Sequence, residues 1–138
     1  LRKMEYEYAI YPHKGNWEEA GVYAEAGKLN APVMAYQVSG GCEGKLPLEQ
    51  GFLRVSDKNL QVSALKKAED RDSLILRVYN PTSQPIQAEI SLTVPGADVK
   101  EVITCNMNEE RTKEVLAVEN NCFTVNLGVN KISTFEII

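Results

Sequence analysis

A single histidine, His13, serves the whole chain of 138 residues. Nucleophilic catalysis of the Ser–His–Asp kind would have to run through it, and no Gly-x-Ser-x-Gly elbow supplies a partner. Cysteine is also sparse: Cys42, Cys105 and Cys122 form an odd set without a C-x-x-C pair. That spacing fits neither a zinc knuckle nor a disulfide framework. Three reduced thiols in a cytoplasmic protein is the simpler reading, with a Cys105–Cys122 bridge between neighbouring strands as the alternative. No apolar run approaches the roughly 18 to 20 residues of a membrane-crossing helix. A charged, then apolar, then small-residue leader is missing too, while an opening at Leu1 rather than Met reads as the start of a fragment. Basic residues do not cluster. Lys66-Lys67 is followed at once by Glu69 and Asp70, and 15 basic against 19 acidic residues leave a net charge of −4. Phosphate binding wants the opposite balance, which argues against nucleic acid. Gly40-Gly41 does not lead directly into a lysine and a helix, so no phosphate loop is present. One Trp, six Tyr and three Phe are no excess of aromatics. Trp17, Tyr23, Tyr36 and Tyr79 are therefore read as core or half-buried residues before they are read as a sugar-stacking platform.

Paired carboxylates are what a glycosidase needs, about 5 to 10 Å apart. Glu5 and Glu7 stand roughly 7 Å apart along a strand, but glutamates alternating with tyrosines describe a solvated face. Glu18-Glu19 and Glu109-Glu110 read as ordinary surface pairs. No residue is assigned a catalytic role, and no metal site is expected within this chain.

What is present is β patterning. Hydrophobic content of 43% and charged content of 25% describe an ordinary globular domain. The polar, glycine-rich run from Gly40 to Pro47 separates two parts. Before it, Tyr6, Tyr8 and Ile10 alternate with Glu5, Glu7 and Ala9 and predict a strand ended by Pro12. Asn16 with Glu19 predicts a helix N-terminus closed by a capping box. Trp17, Ala20 and Ala24 would line one side of that helix, with Trp17 as its packing anchor, and Asn30 and Pro32 would stop it. A second strand follows the helix. After the connector, short alternating runs predict strands at 74–78, 86–94, 99–106, 115–118, 122–127 and 132–138. Strands at this spacing without intervening helices mean antiparallel pairing in a β-sandwich. The expected class is thus mainly β, an antiparallel sandwich with one short helix near the N-terminus.

The run Glu7-Tyr8-Ala9-Ile10-Tyr11-Pro12-His13-Lys14-Gly15-Asn16-Trp17 resembles a segment of glycoside hydrolase family 38 α-mannosidases downstream of their catalytic domain. The runs 62–70 and 74–82, the second ending Tyr79-Asn80-Pro81-Thr82, are similar to the opening of that family's terminal sandwich. The resemblance is strongest to the bacterial branch, which includes mannosylglycerate-type hydrolases. It implies that residues 1–48 are the tail of a central β domain and 49–138 the C-terminal β-sandwich. It also implies an aspartate nucleophile and zinc ligands in an N-terminal α/β domain, with zinc as the parent's cofactor, an α-mannoside as its substrate and the remaining domains as this chain's partners. None of those catalytic motifs occurs here, so no catalytic residue carries over. His13, Trp17 and Arg77 are the nominees for a surface facing substrate or a neighbouring domain. Two other readings stand beside this one: an independent carbohydrate-binding module, which needs an exposed aromatic platform, and a generic immunoglobulin-like interaction domain, which needs a closed sandwich.

Overall fold

Alternation of apolar and polar residues, the strongest local signal in the sequence, is realised as strand wherever a neighbouring strand exists to pair with. A computed structural model describes residues 2–41 and 43–138, leaving Leu1 and Cys42 outside the described residues. The chain divides into two compact units, 1–40 and 41–138.

The described residues of the second unit carry nine strands: β1 (Leu53–Val55), β2 (Gln61–Lys67), β3 (Leu74–Tyr79), β4 (Ile86–Leu92), β5 (Val102–Cys105), β6 (Arg111–Leu116), β7 (Val118–Glu119), β8 (Cys122–Leu127) and β9 (Ile132–Ile137). They form a four-stranded sheet in the order β1-β4-β8-β7 and a five-stranded sheet in the order β2-β3-β9-β5-β6, with every pairing antiparallel. Residues opposite one another in an antiparallel pair share a face, so the register assigns each side chain. Ile86, Ala88, Ile90 and Leu92 of β4 and Phe123, Val125 and Leu127 of β8 fill the inner face of the small sheet. Leu76, Val78, Val102, Phe135 and Ile137 fill that of the large one. Phe123 and Phe135 meet between the sheets with ring centroids 6.0 Å apart. The chain is thus a β-sandwich, as the patterning predicts. Two of its strands, β1 and β2, lie outside the alternating runs, because β1 has three residues and β2 is irregularly patterned.

Hairpin geometry rests on asparagine. Asn120 and Asn121 take positive φ of 52° and 60° between β7 and β8, the left-handed pair a two-residue hairpin turn demands. At the other end, buried Asn80 closes the β3–β4 connection. Its Nδ2 donates to the carbonyls of Gln84 at 2.7 Å and Gly128 at 3.0 Å, and its Oδ1 accepts from Thr82 N and Oγ1. Each sheet edge is either brief or irregular. β1 and β7 have three and two residues, while the pairings of β2 and β6 carry register shifts at Val62/Ala64 and Ile103/Cys105.

In the first unit, residues 5–11 and 33–38 contain no strand. The expected alternation is there, yet Tyr8 is 87% exposed, and Tyr6, Ile10, Met34, Tyr36 and Val38 are exposed as well. A strand needs a neighbour for its ladder hydrogen bonds, and this unit supplies none among its described residues. The capping box does form: Glu19 N donates to Asn16 Oδ1 at 2.9 Å, and Asn16 N to Glu19 Oε2 at 3.2 Å. It closes a single turn rather than opening the helix. Gly21 then takes φ of 66°, and helix α1 (Val22–Asn30) starts after it, ending at Asn30 as expected. The break removes Trp17 from the helix, so it is no buried anchor. Trp17 is 41% exposed and packs edge-on to Tyr23 with centroids 5.3 Å apart.

Candidate functional site

Among the described residues, charged side chains converge in a buried setting on the outer face of the five-stranded sheet. Register puts Ile75, Glu136 and Ile103 in one cross-strand row, and Arg77, Thr134 and Cys105 in the next. These rows face away from the core, yet Ile75 and Glu136 are both 0% exposed and Thr134 and Ile103 are buried. Glu136 accepts from Arg111 Nε at 2.7 Å and Nη2 at 2.9 Å, from Arg71 Nε at 3.0 Å and from Ser73 Oγ at 2.6 Å. A buried carboxylate is tolerated only when paired and hydrogen-bonded in this way. The Arg111 guanidinium, helped by Ser73 and Arg71 against the effect of burial, holds the Glu136 carboxyl down at about 2.

A second carboxylate closes the same face. Glu109, in the β5–β6 connection with φ of 66°, accepts from Lys66 at 2.7 Å and from Glu69 N at 3.1 Å. Its backbone carbonyl accepts from Arg71 Nη2 at 2.6 Å. Lys66 above all, then the Glu69 amide, lowers the Glu109 carboxyl below its ordinary range. Arg77 donates from Nε to Thr134 Oγ1 and from Nη2 to the Met107 carbonyl, each at 3.1 Å. Arg77, one of the nominees for an outward-facing surface, is thus bound to a hydroxyl and a carbonyl of its own sheet region. Asp70 pairs with Arg71 at 2.8 Å on the solvent side.

These carboxylates are held ionised and their lone pairs are spent on cations and amides. A general acid must keep its proton near neutral pH, and neither Glu109 nor Glu136 is placed to do so. Among the described residues no group of three or more His, Cys, Asp or Glu converges as metal ligands. Cys105 and Cys122 are free thiols. They lie in β5 and β8, strands of different sheets, which removes the basis for a bridge between neighbours. Burial, then the charge of Glu136, pushes the Cys105 thiol up. Cys42 lies outside the described residues.

The other nominees belong to the first unit. His13 is exposed, just before the bend at Lys14-Gly15, with its ring tilted against Tyr11 at 5.9 Å, and Trp17 rests on Tyr23. Sequence reasoning missed Glu136, Arg71 and Arg111. Glu136 stands between Phe135 and Ile137 at an outward position that reads as solvent-facing. Only the two arginines elsewhere in the chain reveal that it is covered. No helix among the described residues is long and apolar enough to cross a membrane.

Comparison with known proteins fits this picture of a packed sandwich. Residues 59–135 match the family described as "Glycosyl hydrolases family 38 C-terminal beta sandwich domain". The chain is 26% identical over 133 residues to "Alpha-mannosidase G" of Dictyostelium discoideum, covering 96% of this chain and 12% of that protein. It is 31% identical over 110 residues to "Alpha-mannosidase 2C1" of Homo sapiens, and 29% over 114 residues to that of Mus musculus, covering 78% and 80% of this chain. The chain spans only 10–12% of the length of these relatives. On the family match and the two-sheet architecture together, the chain belongs to the glycosyl hydrolase family 38 C-terminal β-sandwich domains.

Proposed function

We propose that this chain is the non-catalytic C-terminal sandwich region of a larger α-mannosidase and supports the domain that breaks the glycosidic bond. The observation that carries this reading is the state of its buried carboxylates: both are committed to arginine or lysine, and neither is poised for proton transfer. Its similarity to about a tenth of each α-mannosidase relative supports the same view. Substrate, an α-mannoside, and zinc would then be held by other domains of the parent polypeptide. Residues 1–48 are read as the tail of a central β domain. The exposed apolar alternation at 6–10 and 34–38 is what strands separated from their sheet would show. Two free thiols favour a reducing, cytoplasmic setting. The bacterial-branch placement rests on the sequence runs at 7–17 and 62–82. The test is hydrolysis of an aryl α-mannoside by the isolated chain, with and without added zinc. No turnover is expected in either case. Turnover by the pure chain overturns the reading.

A carbohydrate-binding role has one specific observation in its favour, the partly exposed Trp17 beside Tyr23. Saturable binding of mannose oligosaccharides, abolished by Trp17→Ala, would establish it. A flat titration would remove it.

A further inference from the structure

The β2–β3 and β5–β6 connections come from different hairpins, yet their side chains are tied to each other and to one carboxylate. Arg71 of the first donates to Glu136 and to the Glu109 carbonyl of the second. Glu109 in turn accepts from Lys66 and from the Glu69 amide of the first. Arg111, at the foot of the second, closes on Glu136 with two bonds, and Arg77 holds the Met107 carbonyl at its tip. Beneath them lie the buried apolar residues Ile75 and Ile103, which the inner core does not include.

From this wiring we infer that residues 68–73 and 106–111 form one strap across the outer face of the five-stranded sheet, latched by Glu136 and opening as a unit. Cooperative opening follows from the sharing of partners. Arg71 cannot leave Glu136 without disturbing the Glu109 carbonyl, and Glu109 cannot leave without releasing the Glu69 amide. Segments tied in this way exchange their amide protons together, at a free energy below that of global unfolding. Opening uncovers Ile75, Ile103 and the half-buried Cys105 thiol, so the strap is a conformational device that exposes an apolar strip and a thiol without dismantling the sandwich.

Amide hydrogen exchange on the full chain, resolved by peptide, tests this at neutral pH. The reporters are the Glu69 amide, and the Glu109 and Glu110 amides, which donate to the Asn106 carbonyl and Oδ1. Glu136→Gln is expected to speed exchange in both segments by a similar factor, about tenfold or more for the loss of its charged hydrogen bonds. β4 and β8, which open only by global unfolding, should speed no further than the lower global stability dictates and remain the slowest-exchanging elements in wild type and variant alike, and site-resolved alkylation of Cys105 should quicken alongside. Acceleration in one segment only or in neither, or strap amides no faster than those of β4 and β8, overturns the strap. Should Glu136→Gln fail to fold, Arg77→Met decides. It removes the tie to the Met107 carbonyl and none to residues 68–73, and it is expected to loosen both segments. Loosening of 106–111 alone, or of nothing, refutes the coupling.

Discussion

Acidification should remove the contribution of Glu136 in a defined window. The group is fully buried, and Arg111, Ser73 and Arg71 hold its carboxyl at about 2 against an ordinary 4.5. That difference corresponds to on the order of 3 kcal/mol favouring the folded, charged form. Because the folded value is the depressed one, this stability is fully present above about pH 4.5. It fades as pH falls toward 2, where the folded protein must also take up the proton. The groups facing Glu136 are the Arg71 and Arg111 guanidinia, the Ser73 hydroxyl and the Cys105 thiol, with Asp70 and Glu109 on the far side of Arg71. Glu109 is also depressed, so the wild-type profile alone does not isolate Glu136. The difference between wild type and Glu136→Gln does. Urea unfolding at pH 7, 5, 4 and 3 should show the variant weaker by about 3 kcal/mol at pH 7. The gap should narrow steadily below pH 4.5. Two curves that stay parallel from pH 7 to pH 3 would refute the assignment of a charged, paired Glu136.

Three further outcomes are expected. Phe123→Ala leaves a void against Phe135 at the centre of the sandwich and should lower stability by about 3–5 kcal/mol in chemical denaturation. Asn80→Ala strands the Thr82 amide and takes the side-chain donor from the Gly128 carbonyl, while the Gln84 carbonyl keeps Thr82 Oγ1, and should cost about 1–3 kcal/mol with secondary structure unchanged by circular dichroism. Removal of residues 1–48 takes away no buried hydrophobic residue among those described, so residues 49–138 should still unfold in one cooperative transition; a non-cooperative melt would contradict this.

Where the sequence was legible, it was legible because one face of a strand is buried and the other is wet. β4 and β8 show that alternation plainly, and their start points follow from it. β9 also ends near its expected limit. The strands β5 and β6 depart from their expected spans: β5 is confined to Val102–Cys105, and β6 begins at Arg111 in an exposed polar run that carries no apolar alternation to read. Residues 5–11 mislead for the opposite reason: alternation records what a segment can bury, not whether a neighbouring strand is at hand. The buried carboxylate was invisible because its partners lie 65 and 25 positions away in sequence, at Arg71 and Arg111. Long-range charge pairing leaves no periodic trace. At Asn16 the local chemistry was right and its consequence wrong, since the capping box closed one turn and Gly21 diverted the chain before the helix could continue.

The truncated and bulged rims of the two sheets bear on how this domain joins a larger architecture. With three residues at one margin, two at another and a slipped register at the remaining pair, no run of free amides and carbonyls is long and straight enough to template a foreign strand. In the larger polypeptide proposed above, contact with neighbouring domains is thus expected to run through side chains, selective by shape and charge, rather than through an added strand.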